Sequence, residues 1–467
     1  MDEEGLLQDY IHENGNDAAK GSSSKVTFAV VFSSLIALCG SFTFGCANGY
    51  SSPAESGIID DLGISIAEYS FFGSLLLFGS MFGAIISGKV ADLIGRKGAF
   101  WFVDLFYIIG WLAIVFAKDV WWLYVGRTLL GFSTGVQNYV SVVYVAETIP
   151  KNIRGGFTMA SQLMVCGGIS AMFSIGDIIS WRTLAIIGTI PCIIQVIGLL
   201  FIPESPRWLA KVGRQKELEA TLQWLRGKET DISQEAAEIQ GCNQSLNKQQ
   251  GSRFQDLLES KYAHPLIVGV GLSFLLPWGG GNGILLYASS IFDIAGCNVG
   301  IATTTMALIQ IPFSVLGVLL MDKFGRRPLL MVDLAGACLG GILIGVGFLL
   351  KDLNLPINLT ATTVLVGMQM YFAFFALGAG LPFVLISEIF PMNIKGTAGS
   401  LAAFTNCFNS WIVAYTFNFL FQLSSAGVFF IFSTICALLT LFVLRMLPET
   451  KGKSLEEIQA LWTQEGN

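Results

Sequence analysis

The stretch Gly88-Lys-Val-Ala-Asp92-Leu-Ile-Gly95-Arg96-Lys97 follows a long apolar run, and a similar stretch, Asp322-Lys-Phe-Gly325-Arg326-Arg327, follows another run about 230 residues later. Two more stretches are repeated at a similar spacing. Ala146-Glu147-Thr-Ile-Pro150-Lys-Asn-Ile-Arg154-Gly155 matches Ser387-Glu388-Ile-Phe-Pro391-Met-Asn-Ile-Lys395-Gly396, and Pro203-Glu204-Ser-Pro206-Arg207-Trp208 matches Pro448-Glu449-Thr-Lys451-Gly452. Three pairs in the same order indicate an internal duplication.

The runs between these stretches are apolar enough to cross a membrane. The chain of 467 residues is 53% hydrophobic and only 13% charged, whereas roughly 25% of the residues of soluble domains are charged. Runs of about 20 apolar residues predict membrane helices rather than a β-barrel. We therefore predict an all-α membrane protein with twelve spans, at about 26–47, 69–90, 99–117, 121–145, 157–178, 182–202, 265–288, 301–321, 329–350, 361–386, 398–421 and 426–447.

Basic residues in the short loops predict the orientation of the spans. Most of these residues follow even-numbered spans, which places those loops in the cytosol. Both termini and the polar stretch between the two sets of six spans are then cytosolic as well. The predicted units are an N-terminal tail 1–25, a six-helix half 26–202, a helical linker 203–264, a second six-helix half 265–447 and a C-terminal tail 448–467.

Two similar halves suggest a secondary transporter that rocks about a central site. Acidic and basic residues recur at the cytosolic ends of spans 2, 4, 8 and 10. They are Asp92, Arg96, Glu147 and Arg154 in the first half, and Asp322, Arg326, Glu388 and Lys395 in the second. We predict that they form a gating network when the cytosolic side is closed, and that opening inward breaks it. The alternative is that they are ordinary loop charges.

Several other classes of function have no support in the sequence. The nine cysteines are scattered, without the spacing of metal ligands or of a disulfide framework. The two histidines, His12 and His264, lie outside the spans, and there is no phosphate-binding loop and no pairing of nucleophile and base. We therefore expect no enzyme activity, no cofactor and no metal. With a net charge of -6, the expected partner is the lipid bilayer and not nucleic acid.

From about Phe42 to Gln459, the chain resembles the sugar porter family of the major facilitator superfamily, and within it the plant ERD6-like sugar transporters. The repeated stretches quoted above carry this resemblance, as does the run Pro203 to Gly213. Phe44-Gly-Cys-Ala-Asn-Gly-Tyr-Ser-Ser-Pro53 and Tyr415-Thr-Phe-Asn-Phe419 resemble the plant branch in particular. The resemblance implies a major facilitator fold and an alternating-access carrier of monosaccharides such as glucose or fructose.

The resemblance also implies which residues bind the sugar. Gln162 in span 5, Gln310 in span 8 and Asn406 in span 11 match amide positions of the family's site. Uncharged amides offer a donor and an acceptor to hydroxyl groups, and they avoid the cost of placing a charge in the membrane. We therefore expect these three side chains to bind the substrate.

Span 7 departs from the family pattern. Where similar proteins have Gln-Gln-Leu-Ser-Gly, this chain has Pro277-Trp-Gly-Gly-Gly281, followed by Asn282, the nearest remaining amide. The family's tryptophans in spans 10 and 11 are replaced by Phe383 and Cys407. These changes imply a different substrate or a lower affinity. Proline and glycine also predict a break near 279–283 that faces a cavity, and the alternative is a kink that only serves packing.

Proton coupling in the family depends on an acid in span 1 that pairs with an arginine in span 4. Arg127 is present, but the position of the acid is Ala47. Because an alanine cannot titrate, the sequence favours facilitated diffusion over proton symport. Asp104 in span 3 is the candidate for coupling through another acid, or it belongs to the cluster around Arg96. Asp177 is expected to pair with Arg182.

The N-terminal tail carries Asp2-Glu-Glu-Gly-Leu6-Leu7, which fits an acidic dileucine signal for adaptor binding. Similar plant carriers with such tails suggest the vacuolar membrane rather than the plasma membrane. Two other functions stay open at this point. One is a carrier of another small polar or glycosylated metabolite, and the other is a nutrient receptor that does not transport.

Overall fold

The computed structural model describes residues 27–149, 154–227, 230–248, 263–378, 380–390 and 394–449. For 154–159, 242–248, 322, 383, 387–388 and 395–396 it describes the backbone alone. All regular structure in this part of the chain is helical, and eight of its helical segments are long and apolar enough to cross a membrane. The predicted all-α membrane fold is confirmed.

The first half contains the six predicted spans and one additional helix. Its helices are α1 Phe28–Gly49, α2 Ser51–Leu62, α3 Ile66–Val115, α4 Val120–Thr148, α5 Arg154–Gly176 and α6 Trp181–Leu199. The additional helix, α2, continues from span 1 on the side opposite the basic loops. Helix α3 has 50 residues, about 75 Å at 1.5 Å per residue, which is far more than one crossing requires.

Spans 2 and 3 meet inside α3 at Gly95. This residue has a φ of 83° and a ψ of 169°, which are not helical angles. An L-residue with a side chain rarely adopts this φ, whereas glycine does so without steric cost. The chain therefore leaves span 2 and enters span 3 with a single residue between them. Gly325, with a φ of 96°, separates spans 8 and 9 in the same way.

Three short helices follow span 6, namely α7 Pro206–Val212, α8 Gln215–Arg226 and α9 Ser233–Lys248. Helix α7 begins at a proline, and the hydroxyl of Ser205 caps it by accepting a hydrogen bond from the N–H of Trp208. Trp208, Leu209, Leu218, Leu222 and Ala236 form a small apolar core. These helices thus pack together on the side of the first half that carries the basic loops.

The second half repeats the plan, with two interrupted spans. Span 7 consists of α10 Ala263–Leu275, a 3₁₀ turn Leu276–Gly279, α11 Gly281–Leu286 and α12 Ala288–Ala295. Span 10 consists of α15 Ile357–Gly378 and α16 Leu381–Ile389. The uninterrupted spans are α13 Val299–Phe324, α14 Arg326–Asp352, α17 Lys395–Leu423 and α18 Ser425–Met446.

Glycines allow the closest approach of helices in the first half. Where α3 passes α4, a Cβ on Gly83 would clash with the backbone carbonyl oxygen of Phe132, and a Cβ on Gly135 with that of Ser80. The obstacles are backbone atoms, so no rotamer change relieves them. Close packing of small residues is a principal source of helix association in lipid.

Gly83→Ala is therefore expected to lower the thermal stability of the purified protein. Overpacking costs about 1–3 kcal/mol, against a gain of at most about 1 kcal/mol in helix propensity. The matched control is Gly399→Ala in α17, where a Cβ meets no atom within 4 Å. Melting in detergent should show a loss for Gly83→Ala alone, and equal melting temperatures for the two variants would contradict this account.

Candidate functional site

Span 7 is broken at Leu276–Gly280, which overlaps the beginning of the predicted break near 279–283. Pro277 has no N–H to donate, and Gly280 has a φ of 92° that ends the 3₁₀ turn. The carbonyl group of Gly279, left without a helical partner, accepts a hydrogen bond of 2.8 Å from the hydroxyl of Tyr371 in span 10. The break is therefore a defined conformation, held in part by a contact between spans 7 and 10.

One side of the break packs tightly against spans 11 and 12. A Cβ on Gly280 would clash with the ring of Phe432, and a Cβ on Gly283 would lie 2.9 Å from the ring of Phe417. This side has the packing role that the sequence left open as an alternative. The other residues of the break decide whether it also contributes to a binding site.

Trp278 is anchored to span 11. Its indole N–H donates to the side-chain oxygen of Asn409 at 3.0 Å, and the amide nitrogen of Asn409 donates to the carbonyl of Thr405 at 2.8 Å. Asn409 is buried, and both ends of its amide are satisfied. Sequence reasoning missed Asn409, although it follows Asn406 by three residues and so lies on the same face of a helix.

Two of the predicted ligands have free amides. The side chains of Asn282, in the first turn of α11, and Asn406 are partly exposed. Neither forms a hydrogen bond to another residue within the described ranges. The neighbouring face of span 11 packs on span 2, since Trp411 lies 5.5 Å from the ring of Phe78 and Cys407 contacts Ser80.

The two predicted glutamines have different surroundings. The amide of Gln310 is buried and donates to the carbonyl of Met306 in its own helix at 3.3 Å. Gln162 is partly exposed and lines a small cleft of about 20 Å³. The other lining residues come from spans 8 and 10 and are Ser314, Gly317, Val318, Met321, Ala376, Leu377, Gly380 and Leu381. The structure does not bring Gln310, Asn282 or Asn406 into this cleft.

The guanidinium of Arg127 is fully buried and has no carboxylate partner among the residues that the structure describes. It donates to the carbonyl of Ala47 at 2.8 Å and to the hydroxyl of Ser51. Its charge lies 5.3 Å from the centre of the Phe72 ring, within the range of cation–π attraction. Neutral groups thus occupy the place where a coupling acid would stand.

Asp104 does not belong to the cluster around Arg96, which corrects one of the two roles considered for it. Its side chain is fully buried, and its two oxygens have no hydrogen-bond partner in the described structure. Asp333 of span 9 is also buried and follows Arg326 by seven residues, much as Asp104 follows Arg96 by eight. Sequence reasoning missed Asp333, although the repeat pointed to it.

Three of the four first-half gating residues, Asp92, Arg96 and Glu147, form a compact network. The guanidinium of Arg96 donates to the two carboxylate oxygens of Glu147 at 2.9 and 3.0 Å and to Asp92 at 3.2 Å. Lys211 of α7 pairs with Asp92 at 2.9 Å, and the hydroxyl of Ser205 donates to Glu147. The network therefore ties spans 2, 3 and 4 to the linker, within one half of the molecule.

A glutamate that follows the last span of each half holds the start of the third span of that half. Glu204 accepts hydrogen bonds from the backbone N–H groups of Arg96 and Lys97 at 2.9 and 3.1 Å. Glu449 accepts from those of Arg326 and Arg327, both at 3.1 Å. A carboxylate suits a helix N-terminus, where N–H groups lack partners.

Burial raises the pKa of the Glu204 carboxyl, while hydrogen bonds from the backbone of Ser205, Lys97 and Arg96 oppose that rise. The sequence contains both glutamates in quoted motifs, but their capping role was not predicted. The side chains of Arg154, Asp322, Glu388 and Lys395 lie outside the described structure, and the gating role of all eight residues stays a prediction.

On the opposite side, the two halves are joined by polar contacts that the sequence did not indicate. The hydroxyl of Ser52 in α2 donates to Ser289 in α12 at 2.8 Å and accepts from its backbone N–H at 2.7 Å. The carboxylate of Glu55 in α2 accepts from the hydroxyl of Ser290. We call Ser52, Glu55, Ser289 and Ser290 the outer contact.

The predicted pair of Asp177 and Arg182 does not form. Arg182 pairs with Asp61 at 2.9 Å instead, because the additional helix α2 brings that acid to the start of span 6. The carboxylate of Asp177 lies against Gly300 in the first turn of α13, where the helix dipole favours a negative charge.

The family model described as "Sugar (and other) transporter" matches residues 8–462. The chain belongs to the sugar porter family of the major facilitator superfamily. It is 45% identical to the Arabidopsis thaliana protein "Sugar transporter ERD6-like 10" over 99% of both chains. It is 46% identical to "Sugar transporter ESL1" of the same plant, over 99% of this chain and 97% of that one.

Solved structures agree with the fold of this sugar porter. The inward open xylose transporter XylE from E. coli matches 93% of this chain and 100% of its own, with a TM-score of 0.79 and 24% identity. The structure of XylE bound to 6-bromo-6-deoxy-D-glucose matches with a TM-score of 0.75, also at 24% identity, over 93% of this chain and 99% of its own. The predicted family and major facilitator fold are confirmed, and the protein is a multi-pass membrane sugar transporter rather than an enzyme.

Proposed function

We propose that this sugar porter carries monosaccharides such as glucose or fructose by facilitated diffusion. The surroundings of Arg127 support facilitated diffusion rather than proton coupling. The guanidinium is satisfied by the carbonyl of Ala47 and the hydroxyl of Ser51, neither of which changes its charge with pH. Since a proton carrier in the membrane must titrate, this site provides no means of coupling.

Partly exposed amides support the choice of a sugar as the substrate. Asn282, Asn406 and Gln162 offer donors and acceptors without a net charge, as an uncharged substrate rich in hydroxyl groups requires. We place the carrier in the vacuolar membrane, with Leu6 and Leu7 as the adaptor signal. These two residues lie outside the described part of the chain.

Counterflow into proteoliposomes tests the function directly. Vesicles loaded with unlabelled glucose or fructose should accumulate the labelled sugar transiently, to the same extent with and without a pH gradient. Accumulation that requires the gradient would support the runner-up, a proton symporter, which the buried and unpartnered Asp104 favours. Absence of exchange with any hexose would favour a carrier of another polar or glycosylated metabolite, and binding without exchange would indicate a receptor.

Gln162→Ala is expected to reduce exchange about tenfold while leaving the melting temperature unchanged. One hydrogen bond to a substrate hydroxyl is worth about 1–1.5 kcal/mol. Gln369→Ala serves as the control. The amide of Gln369 in span 10 contacts Thr305 and does not line the cleft, so this variant should exchange sugar at the wild-type rate. Wild-type kinetics for Gln162→Ala would remove this residue from the site.

A further inference from the structure

Trp278 can offer a ligand only the face of its ring. The indole N–H is the single hydrogen-bonding group of a tryptophan side chain, and here it is committed to Asn409 at 3.0 Å. The bond also fixes the orientation of the ring, since Asn409 is itself buried and held by Thr405. The ring is nevertheless partly exposed.

Free amides occur close to this anchored ring, four residues along the chain in span 7 and one turn from its partner in span 11. Asn282 begins α11, directly after the break that contains Trp278. Asn406 precedes Asn409 by three residues in α17, which puts both on one face of that helix. Since Trp278 contacts Asn409, the ring lies near the turn of α17 that carries Asn406. An aromatic face with unpaired amides nearby on spans 7 and 11 is suited to a ligand with a flat apolar face and hydroxyl groups at its edge.

We propose that Trp278 is the specificity-determining residue of this carrier and that it selects sugars in the pyranose form over acyclic polyols. This inference rests on the proposed function and names the substrate class of the same site. In glucose and xylose the ring hydroxyls are equatorial, so the axial C–H bonds form flat faces. The negative face of an indole attracts such C–H groups. An open-chain hexitol has the same hydroxyl groups but no rigid face to stack.

Competition in the counterflow assay tests the selection. In the wild type, unlabelled glucose and xylose should inhibit exchange of labelled glucose at concentrations at least tenfold lower than sorbitol does. Trp278→Leu should weaken inhibition by glucose and xylose at least tenfold and that by sorbitol less than twofold, so that the preference disappears. Trp278→Phe keeps an aromatic face and should retain most of the preference.

The outcomes separate this inference from the proposed function. If the wild type exchanges no sugar, the proposed function fails. If the wild type exchanges glucose and Trp278→Leu keeps the same ratio of glucose to sorbitol inhibition, the role of Trp278 is overturned and the function stands. Hydroxyl-radical footprinting of the wild type needs no variant to fold. Glucose should protect Trp278 from oxidation and sorbitol at the same concentration should not, and equal protection would also overturn the role of Trp278.

Discussion

Replacing Arg96 by alanine is expected to abolish most transport and to destabilise the protein by about 3–5 kcal/mol. The guanidinium forms two hydrogen bonds to the carboxylate of Glu147, and the exposed fractions of the two side chains are only 9% and 11%. Removal of the arginine leaves that carboxylate nearly buried without its positive partner. Lysine is not expected to substitute, because its single ammonium cannot reproduce the paired geometry.

Matched variants show whether the pair itself is responsible. Arg214→Ala removes another arginine–glutamate pair, but its side chains are 51% and 53% exposed, so a loss below about 1 kcal/mol is expected. The double variant Arg96→Ala/Glu147→Ala removes both charges and should recover part of the melting temperature lost in Arg96→Ala. Thermal unfolding in detergent and counterflow provide the measurements. No recovery in the double variant would show that the pair is not the cause.

Glu55→Ala is expected to shift the carrier toward the state that is open on the outer side. A hydrogen bond contributes about 0.5–1.5 kcal/mol, and the bond from Ser290 to Glu55 joins the two halves. The structure has this contact closed, so separating the halves must break it. Loss of the bond from the closed state alone corresponds to a change of about two- to tenfold in the ratio of the two states.

Labelling of a cysteine at Gly73 measures this shift. A Cβ at this position would lie 3.5 Å from the hydroxyl of Tyr287, between span 2 of one half and span 7 of the other. In the Gly73→Cys background, Glu55→Ala should speed reaction with a membrane-impermeant maleimide. Glu55→Gln keeps an acceptor for Ser290, and Asp60→Ala removes an exposed acid from the same helix, so both should react at the parental rate. An unchanged rate for Glu55→Ala would mean that the outer contact does not hold this side closed.

The fold was largely predictable because its signals are local. Apolar runs of about 20 residues specify spans whatever their neighbours are, and the proline and glycines of 277–283 weaken a helix by themselves. The bidentate contact of Arg96 with Glu147 followed from two motifs of opposite charge at the same end of neighbouring spans.

What the sequence did not predict depends on contacts between distant segments. Arg182 pairs with Asp61 because the chain forms a separate helix after span 1, and the mixed composition of Ser51–Leu62 gives no strong signal for that helix. Asn409 is occupied by Trp278, a pairing of spans 7 and 11 that no local pattern encodes. The capping by Glu204 likewise requires the conformation of Gly95, which places two backbone N–H groups side by side.

The two capping glutamates also have a mechanical consequence. In each half, the segment that leaves the last span returns to clamp the beginning of the third, through Glu204 in one half and Glu449 in the other. Each glutamate thereby fixes the end of the sixth span of its half to the start of the third span. Spans joined in this way move together as a rigid body, as the rocking of each half in an alternating-access carrier requires.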